Sequence, residues 1–396
     1  MHKPELLAPA GNPEKLKTAL LYGADAVYAG GRNFSLRQYA DNFSVEELAD
    51  GVSYAHSLGK KVYVTANIFP KNSDFKEAEE YFVKLKEMSV DAVLVTDVGF
   101  LNLIKKVAPD LDVHISTQAN TLNKYAARFW AEQGAKRVVL ARELSIDDVR
   151  EIAEYNPGLE LECFVHGAMC VSYSGRCLLS NYLSGRDANR GECVQACRWK
   201  YKLTEVSRDP ENALEIEEDE RGAYILNSKD LNLIGRLDEL QNAGVCSFKI
   251  EGRMKSVYYL ATVVNAYRRA LDGFPTETAA EELTKINHRA YTEAYFDGDN
   301  PRTLNYGSGQ ETGEYDFIGV VEAFDKDTAS VEMRNRFKKG DELEVLSPSD
   351  SFLKKFTVGY VTDEEGNEVE DAKIVQQRLF VKTPFKLYPG DILRRR

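Results

Sequence analysis

The sequence predicts an α/β protein, in which a (β/α)8 TIM-like barrel carries a cysteine-rich insertion after strand seven and precedes a small all-β barrel domain. Two observations favour this fold. Between residues 5 and 251, eight short apolar runs alternate with segments whose apolar residues recur at helical spacing. Beyond residue 313, short strands are separated by turns that contain glycine. A doubly wound open sheet is the alternative for the first region.

The eight apolar runs are the predicted barrel strands. In chain order they read ELLA, DAVYAGG, KVYVTAN, DAVLVTD, DVHIST, RVVLARE, LELECFVHG and CSFKIEG. Such continuous apolar runs are typical of parallel strands that helices cover on both faces. Four runs share a related lead-in, which begins at Gly23, Ser89, Gly134 and Gly244. Each lead-in is predicted to end one helix and to start the next strand.

The domain boundaries follow from where the pattern changes. We expect the barrel domain at residues 1–295, the insertion within it at 167–245, a linker at 296–312 and the all-β domain at 313–396. The loops that follow the strands form the active face of such a barrel. Because the insertion follows strand seven, we expect it to lie beside the active site.

Composition limits the class of protein. The 396-residue chain is 43% hydrophobic with a formal net charge of −12, so it should bury a large core and should not bind polyanions over its whole surface. It has no apolar run of about 18 residues and no secretory signal pattern, so a cytoplasmic location is expected. Thiols stay reduced there, which makes cysteines candidates for metal ligation or catalysis. Cys163 and Cys246 lie in predicted strands and are expected to be core residues.

The other four cysteines are close together in the insertion. Cys170, Cys177, Cys193 and Cys197 are separated by six, fifteen and three residues. Four thiolates in so short a segment can hold one metal centre, either a tetrahedral zinc or an iron–sulfur cluster. The uneven spacing favours the cluster, whose corners lie farther apart. Unrelated buried thiols are the remaining alternative.

The stretch from Glu162 to Ser180, ECFVHGAMCVSYSGRCLLS, contains a longer pattern. It closely resembles the signature of the U32 family, the collagenase-like peptidases. The matching residues are Glu162, Phe164, Gly167, Ala168, Met169, Cys170, Gly175, Cys177, Leu179 and Ser180. The resemblance extends from LLAPAG and GADAVYAGG near the start to KIEGR and the C-terminal β-domain, so it covers both predicted domains.

The resemblance implies an RNA-modifying enzyme. Family members of this size and layout look like tRNA uridine hydroxylases, which form 5-hydroxyuridine at the wobble position. They use prephenate and an iron–sulfur cluster of the 4Fe–4S type held by four cysteines. Carried over by position, those ligands are Cys170, Cys177, Cys193 and Cys197. The implied partners are tRNA and prephenate, and prephenate is the implied source of the hydroxyl group.

Further candidate site residues lie at the carboxyl ends of predicted strands. Arg142, His166, Glu251 and Arg253 are the candidate catalytic residues. Since prephenate carries two carboxylates, Arg142, Arg253 and Lys255 are candidates for binding them. The alternative for all of these side chains is a helix cap or a loop support.

RNA contact is expected from basic stretches that include aromatic residues. The stretch from Arg186 to Lys202 combines five basic with two acidic side chains, and it includes Trp199. Smaller basic patches occur at residues 334–339 and 394–396 in the β-domain. A solvated surface without a ligand is the alternative for each.

Two other functions stay open at this point. A U32-type, collagenase-like peptidase needs an activated nucleophile or a metal-bound water. The chain has five histidines, but it has neither a His-Glu-x-x-His nor a Gly-x-Ser-x-Gly motif. A non-catalytic RNA-binding protein with a structural metal would also use the four cysteines. Metal content discriminates these functions, because a 4Fe–4S cluster brings about four irons per chain and a structural site brings a single zinc.

Overall fold

The computed structural model describes residues 3–36, 41–199, 218–219, 222–223, 228–298 and 313–396. The strands of the first region are β1 (Glu5–Ala10), β2 (Ala26–Gly30), β3 (Lys61–Ala66), β4 (Ala92–Val95), β5 (Asp112–Ile115), β6 (Arg137–Val139), β7 (Glu160–Ala168), β8 (Glu218–Asp219), β9 (Gly222–Ala223), β10 (Asp230–Asn232) and β11 (Val245–Ile250). In the described residues, β1 to β7 and β11 pair in parallel, and the β7–β11 pairing closes an eight-stranded ring. The predicted (β/α)8 barrel is confirmed.

The burial of the strands explains their composition. β2 and β4 are buried at every residue, as a strand must be when both of its faces are covered. The four lead-ins adopt the left-handed backbone conformation that ends a helix. Their first residues, Gly23, Ser89, Gly134 and Gly244, have φ angles of 109°, 59°, 81° and 96°. The repeated stop signal in the sequence is therefore a repeated backbone turn.

Helices connect the strands in the expected alternation. They are α1 (Pro13–Leu21), α2 (Val45–Ser57), α3 (Phe75–Glu87), α4 (Val98–Val107), α5 (Lys124–Glu132) and α6 (Ile146–Tyr155). Side-chain caps define where some of them begin. The Ser44 hydroxyl accepts from the Glu47 N–H and the Glu47 carboxylate accepts from the Ser44 N–H, which starts α2. None of the described helices has the length and apolar character needed to cross a membrane.

The connection between β7 and β11 carries the four clustered cysteines. It also contains α7 (Leu179–Ser184) and α8 (Leu237–Asn242). β10 pairs antiparallel with the end of β7 and in parallel with β12 (Tyr291–Thr292). Asp230 of β10 is buried and forms an ion pair with Arg289, which ties these short strands together. Residues 200–202 of the predicted RNA-binding stretch lie outside the described residues.

The chain divides into two compact units. The first contains the barrel, and the second combines Leu21–Gly23, Ser256–Asn287 and Thr312–Arg396. The helices α9 (Val257–Leu271) and α10 (Thr276–Thr284) therefore group with the C-terminal strands, whereas the sequence-based boundary placed them in residues 1–295. The linker at 296–312 stays a prediction, because residues 299–312 lie outside the described ones.

The C-terminal module, residues 313–396, consists of antiparallel strands. They are β13 (Asp316–Asp325), β14 (Thr328–Met333), β15 (Phe337–Lys338), β16 (Glu342–Leu346), β17 (Lys355–Thr357), β18 (Val361–Thr362), β19 (Asp371–Ala372), β20 (Arg378–Lys382) and β21 (Ile392–Arg395). Among the described residues the main sheet runs β17-β16-β21-β13-β14-β20-β18, and no pairing joins its two edges, so it forms a half-barrel. Side chains of β14 alternate between buried and half-buried. The predicted all-β module is confirmed.

Arg394 of β21 is fully buried in the second unit. Its guanidinium forms ion pairs with Glu282 at 2.7 Å and with Glu344 at 2.5 Å. Glu344 also pairs with Lys285 at 2.8 Å. The prediction of an exposed basic patch at residues 394–396 is wrong for Arg394, because two buried carboxylates require buried cations as partners.

Candidate active site

A cavity of about 140 Å³ lies at the carboxyl end of the barrel strands. Gln118 follows β5, Arg142 follows β6, Ala168 ends β7 and Glu251 follows β11, and all four residues line this cavity. In barrels of this kind the loops that follow the strands form the active site. The cavity therefore has the position of an active site.

The four clustered cysteines line this same cavity. Cys170 lies two residues after β7, and Cys177, Cys193 and Cys197 come from the turns that follow. Burial raises the pKa of the Cys197 thiol, and the neighbouring Cys170, Cys193 and Cys177 thiols raise it further. Among the described residues, no group of three or more His, Cys, Asp or Glu side chains is close enough to hold a single metal ion. Folding therefore brings the four candidate ligands to one cavity, but it does not bring three of them within reach of a single ion among the described residues.

Backbone N–H groups donate to two of the sulfur atoms. The Ser172 N–H donates to Cys170 Sγ at 3.4 Å, and the Leu179 N–H donates to Cys177 Sγ at 3.3 Å. Hydrogen bonds of this kind stabilise a thiolate, and proteins use them to tune iron–sulfur clusters. The donor set therefore fits a thiolate-bound metal centre that the four cysteines would hold.

The turn between the first two cysteines is held by Glu143. Its carboxylate accepts hydrogen bonds from the Ser174 N–H at 2.6 Å and from the Ser174 hydroxyl at 2.5 Å. Ser174 is buried and has a φ of 38°, in the left-handed region that residues other than glycine rarely adopt. Because Cys170 and Cys177 lie on either side of this turn, Glu143 restrains the backbone between them.

The next part of the segment is attached to the loop after β3. Asn189 accepts a hydrogen bond from the Cys177 N–H at 3.2 Å and donates one to the Cys177 carbonyl oxygen at 3.1 Å. Arg190 donates to both carboxylate oxygens of Asp74, at 2.7 and 3.1 Å. The hydrogen bond from Arg190 lowers the pKa of Asp74. Sequence reasoning missed the contact of Asn189 with Cys177 and the ion pair of Arg190 with Asp74. No motif links the residues of either pair, and Asp74 lies 116 residues from Arg190.

Arg142 and Glu251 are two of the four predicted catalytic residues, and both line the cavity. The Arg142 guanidinium stacks over the Phe164 ring, 3.8 Å from its centroid, and donates to the Ala168 carbonyl at 2.9 Å. It also lies 3.8 Å from the Glu251 carboxylate. These contacts fix the plane of the guanidinium at the edge of the cavity.

The other two predicted catalytic residues, His166 and Arg253, are not among the described residues that line the cavity. His166 is 1% exposed, and burial lowers the pKa of its imidazole to about 3, so the ring is neutral near pH 7. Arg253 is buried and donates to the Ser35 hydroxyl at 2.8 Å, to the Thr65 hydroxyl at 3.3 Å and to the Asn42 side chain. The catalytic roles of His166 and Arg253 stay predictions.

Glu162, the first residue of the matching signature, lies inside the barrel. It is fully buried, and its carboxylate pairs with Lys249 at 2.7 Å and with Arg137 at 3.2 Å. Burial alone would raise the pKa of Glu162, but these two cations outweigh it and lower the pKa. The Lys249 ammonium lies 5.4 Å from the centroid of Phe164, the ring on which Arg142 stacks. The structure therefore gives Glu162 a role that the motif alone did not indicate: its carboxylate neutralises the buried cations Lys249 and Arg137 inside the barrel.

Comparison with known proteins identifies a family and relatives. Residues 11–305 match the model described as peptidase family U32, and residues 313–394 match the model of its C-terminal domain. The chain is 42% identical to tRNA hydroxylation protein P1 of Bacillus subtilis, over 99% of this chain and 95% of that protein. It is 38% identical to tRNA hydroxylation protein P of Escherichia coli, over 92% and 90%. A protein named collagenase from Porphyromonas gingivalis is 31% identical, over 99% and 97%.

Proposed function

Because the chain belongs to peptidase family U32 and its relatives include tRNA hydroxylation proteins, we propose that it is an RNA-modifying hydroxylase. The proposed product is 5-hydroxyuridine at the wobble position of tRNA, with prephenate as the source of the hydroxyl group. The proposed cofactor is a 4Fe–4S iron–sulfur cluster. The names of the relatives support RNA hydroxylation, whereas the uridine, prephenate and the cluster rest on the family resemblance and on the residues of the cavity. A tRNA substrate supports the expected cytoplasmic location.

The observation that carries this proposal is the convergence of four thiols on one cavity at the active end of the barrel. A bound cluster would supply Lewis-acid or one-electron chemistry next to the substrate ring. The protein itself has to keep the ligands oriented. Glu143 holds the turn between Cys170 and Cys177, and Asn189 holds the backbone of Cys177 from both sides.

Two cationic side chains suit the carboxylates of prephenate. Arg142 and Lys255 both line the cavity together with the thiols. A guanidinium binds a carboxylate through two parallel N–H···O bonds, and an ammonium acts as a compact point charge. Phe164 and Glu251 hold Arg142 in place before substrate binds. We assign carboxylate binding to Arg142 and Lys255 and not to Arg253, whose guanidinium bonds to side chains outside the cavity lining.

The peptidase alternative is supported by the relative named collagenase. A cysteine peptidase needs a histidine within hydrogen-bond reach of its thiol. No histidine is among the cavity-lining residues in the described part of the chain. The geometry therefore favours metal ligation by the thiols over nucleophilic catalysis.

Nucleoside analysis of tRNA tests the proposed function. tRNA from cells with and without the gene is digested, and the nucleosides are separated and identified by mass. We expect 5-hydroxyuridine to disappear without the gene and to return with the wild-type chain but not with Cys170→Ala. Unchanged 5-hydroxyuridine would contradict the function. Iron and sulfide analysis of the purified full chain separates a cluster from a single zinc, the metal expected of a non-catalytic RNA-binding protein.

A further inference from the structure

Exposed apolar side chains gather on the cysteine-rich segment, which we define as residues 170–199. Tyr173, Leu178, Tyr182 and Trp199 are all exposed there. Tyr182 (86%) and Leu178 (73%) are the most exposed large hydrophobic residues in the described part of the chain. Large apolar side chains that are exposed together mark interaction surfaces. We call these four residues the apolar rim.

The apolar rim borders the cavity. Leu179 and Ser180 line the cavity and follow Leu178 directly in the chain. Ser180 is buried, and its hydroxyl accepts a hydrogen bond from the Val194 N–H at 3.3 Å, which orients one face of α7 towards the site. Leu178 and Tyr182 are one helical turn apart and share the exposed face. The apolar rim therefore lies on the outer face of a segment whose inner face lines the cavity.

The cysteine-rich segment is basic although the protein is acidic. Residues 170–199 contain four arginines and two acidic residues, whereas the whole chain has a net charge of −12. Arg176 lies over the Phe69 ring, 5.1 Å from its centroid, and donates to the Gln118 carbonyl at 2.7 Å. Positive charge beside exposed rings suits a polyanion that also presents flat apolar groups.

We propose that the apolar rim is a stacking surface for unpaired bases of an RNA loop, next to the nucleotide that enters the cavity. This inference rests on the proposed function and specifies how the RNA is bound. Unpaired nucleotides expose the flat faces of their bases together with their phosphates, whereas a paired helix covers the base faces. Aromatic rings beside arginines are the combination that binds single-stranded RNA. The occupant is therefore an RNA loop and not a duplex.

RNA binding by full-length variants tests the apolar rim. The probe is a fluorescein-labelled oligouridine of about ten nucleotides, and fluorescence anisotropy gives its dissociation constant. Tyr182→Ala should weaken binding at least about 5-fold, the effect of losing one base stack. Tyr182→Phe keeps the ring and should bind within about 2-fold of wild type. The dependence of affinity on salt should stay the same in both variants, because a neutral ring neutralises no phosphate and so releases no counterion.

Tyr125→Ala is the matched control. Tyr125 is another exposed tyrosine on a helix of the barrel region. It packs against Tyr155, at a centroid distance of 5.3 Å, at the end of α6 that leads into the start of β7. Tyr125 does not line the cavity and lies outside the cysteine-rich segment, so its loss should leave RNA affinity unchanged.

The outcomes distinguish a failure of the proposed RNA-binding surface from a failure of the proposed function. Equal affinity in wild type and Tyr182→Ala, or an equal loss in Tyr125→Ala, overturns the RNA surface and leaves a protein contact as the use of these side chains. Weaker RNA binding by Tyr182→Ala, with an unchanged melting temperature, supports the surface. If this weaker binding occurs while cells without the gene retain 5-hydroxyuridine, the rim stands and the hydroxylase proposal fails.

Discussion

The cysteine-rich segment and the C-terminal module both carry basic side chains, but the two regions use them differently. In the C-terminal module these side chains form ion pairs with carboxylates. Arg336 pairs with Asp371 at 2.7 Å, and Lys339 pairs with Glu368 at 3.0 Å. In the cysteine-rich segment, Arg176 donates to a backbone carbonyl and lies over an aromatic ring, and no carboxylate pairs with it among the described residues.

The difference teaches that a run of basic residues does not by itself form a nucleic-acid surface. Phosphate binding gains free energy by releasing counterions, and a cation that already has a carboxylate partner contributes less to this gain. Arg190 of the cysteine-rich segment is also used structurally, paired with Asp74 at 2.7 Å. The segment is distinguished by the exposed apolar rim and by its place at the cavity. We therefore expect RNA contact there before the C-terminal module.

Removing a thiol should have the largest effect on the cysteine-rich segment. We expect Cys170→Ala to lose its iron and all hydroxylation activity, because a cuboidal cluster needs its thiolate ligands. Cys163→Ser is the matched control, since Cys163 is buried within β7 and does not line the cavity. Iron and sulfide per chain are measured together with 5-hydroxyuridine in tRNA. Full iron content in purified Cys170→Ala would show that the ligand group is wrong.

The C-terminal module should be most sensitive at Arg394. Arg394→Met removes a buried cation from Glu282 and Glu344, which should lower the free energy of unfolding by about 3–5 kcal/mol. Arg396→Ala is the control, because the side chain of Arg396 is 77% exposed. Thermal unfolding of the full chain measures both variants. Equal melting temperatures for Arg394→Met and wild type would contradict the structural use of basic side chains in this module.

A smaller effect is expected at the turn between the first two cysteines. Glu143→Ala leaves the Ser174 N–H and hydroxyl without their acceptor, at a cost of about 1–3 kcal/mol. We expect this variant to lose iron faster than wild type in air while its barrel stays folded. Glu132→Ala, which removes an exposed carboxylate paired with Arg128, is the control. If iron is lost at the same rate in both variants, Glu143 does not position the thiols.

The smallest effect is expected from charge removal in the C-terminal module. Arg336→Gln combined with Lys339→Gln should change oligouridine affinity by less than about 2-fold, because both cations already have carboxylate partners. The slope of log affinity against log salt should also change by less than about 0.7, the value for one lost phosphate contact with a single strand. A larger loss of affinity would contradict the difference between the two regions and would support RNA binding by residues 334–339.

Short-range patterns account for what the sequence predicted correctly. Strands and helices are recognised from residues two to four positions apart. The left-handed stops at Gly134 and Gly244 depend on one residue each. The four cysteines, which line one cavity, were grouped because they are close in the chain, and their role as metal ligands stays a prediction. Each of these features is a property of neighbouring residues, so no distant partner had to be known.

The surroundings of single charged side chains depend on the tertiary structure instead. In the sequence, Arg394 belongs to a basic terminus. In the structure it forms a buried ion pair with Glu282, which lies 112 residues earlier in the chain. Arg142 and Arg253 both follow barrel strands, yet Arg142 lines the cavity and Arg253 is buried among Ser35 and Thr65. The charge of a side chain is a property of the residue. Its burial and its partners are set by contacts between segments that only folding brings together.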